Sequence, residues 1–295
     1  MPQINANGVT LEYEDRGTRD APVILLIMGL GAQMTLWPDE LVDALVAEGF
    51  RVIRYDNRDI GLSQKMEGAK FPGPAKQILL GKIGLKPAVP YTLADMADDA
   101  AALLDALAID RAHIVGASMG GMIAQLVAAN HSGKTITLTS IMSTTGNPKL
   151  PAAKKEAMDV LTKRPDSADE AVLVAHGMKI ARVIGSPGYP VDEEALRDRV
   201  TKTVRRSVYP AGMQRQLAAI LHDGDRRARL AGVEAPTLVI HGEDDPLVPS
   251  AGGRDTAASI AGARIETFPG MGHDLPLPLV DRFAALIAEH ARGAA

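Results

Sequence analysis

The chain has 295 residues, of which 46% are hydrophobic and 23% charged, the composition of a folded globular protein with a sizeable core. Its 32 basic and 36 acidic residues leave a net charge of −4 without a basic block, which argues against nucleic acid as a partner. With no cysteine, disulfides, thiolate metal sites and cysteine nucleophiles are excluded. The N-terminus lacks the charged and apolar regions of a signal peptide. The most apolar run, residues 23–30, is far shorter than the ~20 residues of a membrane span. The expectation is a soluble cytoplasmic protein.

In chain order, Asn7-Gly8 marks a hairpin turn, followed by Val9, Leu11 and Tyr13 alternating with polar residues. Residues 23–28 are apolar without alternation, as in a parallel strand covered on both faces. Gly29-Leu30-Gly31 ends that strand, and a helix opens at Pro38 and closes at Gly49. A strand over 51–55 runs into Asp56-Asn-Arg58-Asp-Ile-Gly61-Leu-Ser63. Residues 64–91 show only a weak helix near 75–83, fitting either a lid or an irregular surface loop. Thr92 and Asp95 form a capping box before a helix with apolar positions at Leu93, Met96, Ala100, Leu103 and Leu107.

The next segment holds the chemistry. A β-branched run from Arg111 enters Gly116-Ala-Ser118-Met-Gly120, and helix-compatible small residues continue to Asn130. Strand, glycine-flanked serine and helix are the context of a nucleophile elbow, where a tight turn lifts the Ser118 hydroxyl clear of the sheet. A strand over 135–142 follows. Residues 148–211 then show helical patterns only, at 152–163, 168–182 and 192–207, like a cap inserted into an alternating β/α chain. The predicted domains are a core of 1–146 and 211–295 and a cap of 147–210. A helix at 213–221, strands at 237–241 and 264–268, and a helix at 279–292 complete the chain.

A serine hydroxyl needs a base to take its proton and an acid to fix that base. His273, in the loop after the last strand, is the candidate base; His241 is its nearest rival but ends a strand. Asp245, held extended by Pro246, is preferred as acid over its neighbour Asp244. The oxyanion donors are expected to be the backbone amides of Met119 and Leu30. Met142, Met178 and Met213 are candidate pocket residues, although methionines in apolar patterns commonly fill cores.

These motifs, with Met28-Gly29-Leu30-Gly31, Gly242-Glu-Asp-Asp245 and Gly272-His273, resemble the α/β-hydrolase superfamily over almost the whole chain. Residues 52–63 and the Met-Gly at 28–29 are similar to the aclacinomycin methylesterase group. That resemblance implies an α/β-hydrolase fold, a mostly parallel sheet flanked by helices with a helical cap. It implies a carboxylesterase with the triad Ser118, Asp245 and His273, oxyanion donors Leu30 and Met119, and neither metal nor organic cofactor. The sequence departs from the superfamily at Met28, commonly histidine, and at Asp59, commonly glycine, the latter shared with the methylesterase group. The expected substrate is a small ester of short to medium acyl chain. Acyl transfer or carbon–carbon bond hydrolysis by the same triad, and a non-catalytic ligand sensor, are the competing readings. A monomer or homodimer is the default assembly.

Overall fold

A computed structural model describes residues 2–71, 73–82, 85, 87–163 and 165–294. Eight strands form one sheet in the order β1-β2-β4-β3-β5-β6-β7-β8. β1 (Gln3–Ala6) and β2 (Val9–Arg16) make an antiparallel hairpin at one edge. Its turn residues Asn7 and Gly8 both have positive φ, 51° and 74°, as a tight hairpin requires. β2 lies antiparallel to β4 (Arg51–Tyr55). From β4 onward, β3 (Val23–Ile27), β5 (Ala112–Ala117), β6 (Thr135–Ile141), β7 (Thr237–Gly242) and β8 (Arg264–Phe268) are parallel. This is the fold class the resemblance implied.

β3 shows why its apolar run lacks alternation. Val23, Leu25 and Ile27 pack into the core beneath α3 (Leu93–Ala106) and α4 (Met119–Asn130). Ile24 and Leu26 pack into the opposite core, under α1 (Asp39–Ala47) and α11 (Val280–Arg292). All five are buried, and each contributes roughly 1.5–3 kcal/mol of hydrophobic stabilisation. α3 starts at the expected capping box: the Thr92 hydroxyl accepts from the Asp95 amide, and the Thr92 amide donates to the Asp95 carboxylate.

Within 64–91, the weak helix is α2 (Pro74–Lys82), which packs against α8 (Pro210–Asp223). Residue 83, at the end of the predicted helix, is outside the described residues. Between β6 and α8 the chain inserts α5 (Lys155–Thr162), α6 (Glu170–Ile184) and α7 (Glu193–Arg206). These have a small core of their own around Val174, Met178 and Leu196. Two further helices carry no apolar periodicity and were not expected: α9 (Arg227–Leu230) and α10 (Ala251–Ser259). Among the described residues no helix is long and apolar enough to cross a membrane.

Candidate active site

Because β5 and α4 join through a single residue, Ser118 takes φ 57° and ψ −121°, a left-handed conformation that L side chains rarely adopt. The end of β6 and the residues after it hold it there: its amide donates to the Ile141 carbonyl (2.9 Å), and its carbonyl accepts from the Ser143 hydroxyl (2.8 Å). The flanking glycines follow from the packing of helix on strand. A Cβ on Gly120 would lie 1.9 Å from the Ile27 carbonyl oxygen, and one on Gly116 would lie 2.1 Å from that of Gly120. Gly29 is less tightly constrained, since a Cβ there would stand 3.0 Å from Cβ and 3.4 Å from Oγ of Ser118.

Three carboxyl ends of parallel strands meet at this serine. His273, on the loop after β8, places Nε2 2.9 Å from Ser118 Oγ. Its Nδ1 lies 2.7 Å from Asp245 Oδ2, on the loop after β7. The other carboxylate oxygen of Asp245 accepts the amides of Leu247 and Val248, both at 2.8 Å. Burial pushes the Asp245 carboxyl up, but His273, His241 and the Val248 amide outweigh it and hold the group well below the usual carboxylate range. An ionised acid therefore fixes an imidazole, and the imidazole reaches an alcohol.

The rivals are elsewhere. His241 is fully buried and 3.6 Å from Asp245 Oδ2, with Nε2 on the Val248 carbonyl at 2.8 Å. Asp244 turns outward and accepts the Gly270 amide at 2.8 Å, bracing the histidine loop. His113 is buried against Thr137, and burial depresses its pKa to about 4.

The loop after β3 is heavily tied. The Asn57 carboxamide donates to the Met28 carbonyl (2.8 Å), the Gly31 amide to Gln216 Oε1 (2.9 Å), and the Met34 amide to Asp56 Oδ1 (2.8 Å). Leu30 sits between these anchors, one residue from the glycine that touches Ser118. Met119 opens α4, so its N–H has no carbonyl one turn earlier to bond. The Met28 side chain occupies the core with Trp37 and Leu41. Asp59 has φ 72°, the conformation for which glycine is usual, and pairs with Arg215 of α8 through two bonds of 2.7 and 2.8 Å.

Of the methionines singled out, Met213 packs against the loop after β3: a Cβ on Gly31 would lie 2.9 Å from its Cγ. Met142 is buried in the sheet core and Met178 in the small core of the inserted helices. A hollow of about 850 Å³ lies between α5 and α6, lined by Val160, Ala171, Ala175 and His176, apart from the triad. The site is thus defined by its hydrogen-bond geometry rather than by that hollow. Sequence reasoning missed Gln216 and the part played by Asn57; the latter lay inside a quoted motif, whereas Gln216 offered no local signal. Among the described residues no group of three or more His, Asp or Glu could hold a metal ion.

A model of the α/β hydrolase fold family matches residues 22–278. The chain belongs to that family. A rhodomycin D methylesterase, DauP of Streptomyces sp. (strain C5), is 32% identical, with 99% of this chain and 98% of that protein covered. The enol-lactonase of Burkholderia xenovorans LB400 is 26% identical with a TM-score of 0.68, covering 99% and 100% of the two chains. The meta-cleavage product hydrolase of Pseudomonas fluorescens IP01 has a TM-score of 0.78 over 100% and 98% of the chains. At 20% identity that likeness speaks for the α/β-hydrolase fold alone.

Proposed function

We propose that this α/β-hydrolase is a carboxylesterase acting on methyl esters or on esters of short to medium acyl chain. The observation that carries the reading is the unbroken run of hydrogen bonds from Ser118 through His273 to Asp245. His273 Nε2 takes the hydroxyl proton as Ser118 Oγ attacks the ester carbonyl, and Asp245 stabilises the imidazolium that results. The amides of Leu30 and Met119 receive the oxyanion. Collapse of the tetrahedral intermediate returns the proton from His273 to the departing alcohol, leaving an acyl group on Ser118. Water, deprotonated by the same imidazole, then releases the acid and restores the hydroxyl.

The cap is taken as residues 147–210, and Met213, packed on Gly31, is proposed to line the acyl pocket together with Met142 and Met178. The name of the Streptomyces relative makes methyl esters the first natural class to try. The test is steady-state hydrolysis of p-nitrophenyl acetate and butyrate and of a panel of methyl esters. Ser118→Ala is expected to lower kcat by at least about 10⁴-fold. Turnover that persists in that variant, or product that forms only with an added alcohol or amine acceptor, overturns the hydrolase assignment. Strict preference for acyl chains beyond about twelve carbons would overturn the proposed acyl range.

A further inference from the structure

We propose that Ser186, in the cap loop between α6 and α7, is a positioning residue for His273, acting through the residues on either side of the histidine. The inference rests on the triad reading above. The histidine loop is Pro269-Gly-Met-Gly-His273, a sequence that two glycines leave conformationally loose unless it is held from outside. The acid loop holds one side of it. The Glu243 amide donates to the Phe268 carbonyl and the Asp244 amide to that of Met271, both at 3.0 Å.

The cap holds the other side. The backbone amide of His273 itself donates to the Ile184 carbonyl at 2.7 Å. Ile184 is the last residue of α6, so its carbonyl has no partner within the helix and is free to accept. Four residues further on, the Gly188 amide donates to the Gly270 carbonyl at 2.9 Å. The fit is close: a Cβ on Gly188 would lie 2.8 Å from the Gly270 Cα.

Ser186 is central to this contact. Its Oγ accepts the Gly272 amide at 2.9 Å, and its hydroxyl proton is donated to the Asp274 carboxylate. One buried hydroxyl thus engages the residue before His273 and the residue after it. Burial raises the Asp274 carboxyl, partly offset by this bond, so Ser186 is also a principal partner of that group. An imidazole that must stay within bonding range of both Oγ and a carboxylate tolerates little backbone drift, and a displacement of ~1 Å costs on the order of 10²-fold in rate.

The experiment compares Ser186→Ala and Ser186→Thr with wild type. Active serines are counted by titration with a p-nitrophenyl phosphonate, and kcat per titrated site and KM are measured on p-nitrophenyl butyrate. Ser186→Ala is expected to lower kcat per site by about 10- to 100-fold with KM within about threefold. Ser186→Thr, which keeps the hydroxyl, is expected to recover most of that loss. If Ser186→Ala does not accumulate as folded protein, Asp274→Ala is read in the same way, with a fall of at least about threefold per site expected. An unchanged kcat per site, a change in KM alone, or equal impairment in the Ala and Thr variants overturns the proposal. Activity surviving in Ser118→Ala would instead overturn the triad reading, so the two failures are distinguishable.

Discussion

Asp59 is the position at which two physical effects oppose each other most directly. Its backbone is left-handed, at φ 72°, and relief of that strain by Asp59→Gly is worth at most about 1 kcal/mol after the added freedom of glycine in the unfolded chain is subtracted. Against this stands the ion pair. The Asp59 side chain is 0% exposed and that of Arg215 5%, and the carboxylate also accepts the Met66 amide at 2.7 Å. Removing one partner of a buried pair costs about 3–5 kcal/mol, because the other is left charged and desolvated. The Tyr209 hydroxyl, 3.1 Å from the guanidinium, compensates only in part. The ion pair wins: Asp59→Gly should be destabilised by about 2–4 kcal/mol, lowering the melting temperature by roughly 3–7 °C. Asp59→Gly combined with Arg215→Met removes the stranded charge and should recover most of that loss. Differential scanning calorimetry of the wild type and both variants decides the matter. A single variant as stable as wild type, or a double variant less stable than the single, would refute the argument.

Gly120→Ala should lower both stability and activity, since its Cβ would have to clear an Ile27 oxygen only 1.9 Å away by lifting α4 off β3. Equal melting temperature and kcat within twofold of wild type would contradict this. Asp245→Asn keeps the shape of the acid but favours the wrong imidazole tautomer, so kcat should fall by about 10⁴-fold. Steady-state kinetics on p-nitrophenyl butyrate check it. Asp245 and Asp59 both have depressed carboxyl pKa values in the folded state, burial being outweighed by their partners. Their stabilisation is present above the unfolded value near pH ~4 and is lost as pH falls below it. Urea midpoints should therefore drop between pH 5 and pH 3, and less steeply in the Asp59→Gly, Arg215→Met double variant; parallel profiles would count against Asp59 as a contributor.

What could be read from the sequence was what neighbours in the chain dictate. The elbow was legible because Gly116, Ser118 and Gly120 answer clashes that arise within a single strand-to-helix crossing. The sheet strands were legible mainly from apolar and β-branched runs between turn signals, and the three cap helices from helical patterning. α10 was not, because Ala251-Gly-Gly-Arg-Asp-Thr-Ala-Ala-Ser has no apolar stripe; its glycines serve close approach instead, Gly253 lying against His241 and Gly252 against Ser143 and Thr144. Asp244 and Asp245 were both admissible, since each sits in the same acid loop. Only the fold sends one toward His273 and the other toward Gly270. Gln216 and Ser186 act across 185 and 86 residues of chain, and nothing local marks them.

Those distant contacts bear on what the inserted helices do. If they served only to cover the substrate, their bonds to the core would avoid the reacting groups. Instead, Gln33 in the loop after β3 donates to the Thr203 carbonyl at 2.8 Å and to that of Ser207 at 2.9 Å, both at the end of α7. Arg206 of the same turn bonds Gln33 Oε1 at 2.6 Å and pairs with the fully buried Asp56 at 2.7 Å, and Asp56 in turn holds the Met34 amide. The end of α6 accepts from His273 itself. The loop proposed to bind the oxyanion and the loop that carries the imidazole are therefore both fastened to residues 184–207. It follows that substitutions in this segment chosen to alter substrate preference will alter the chemical step as well. Residues 184–207, proposed to belong to the cap, thus also fasten two of the loops that meet near Ser118.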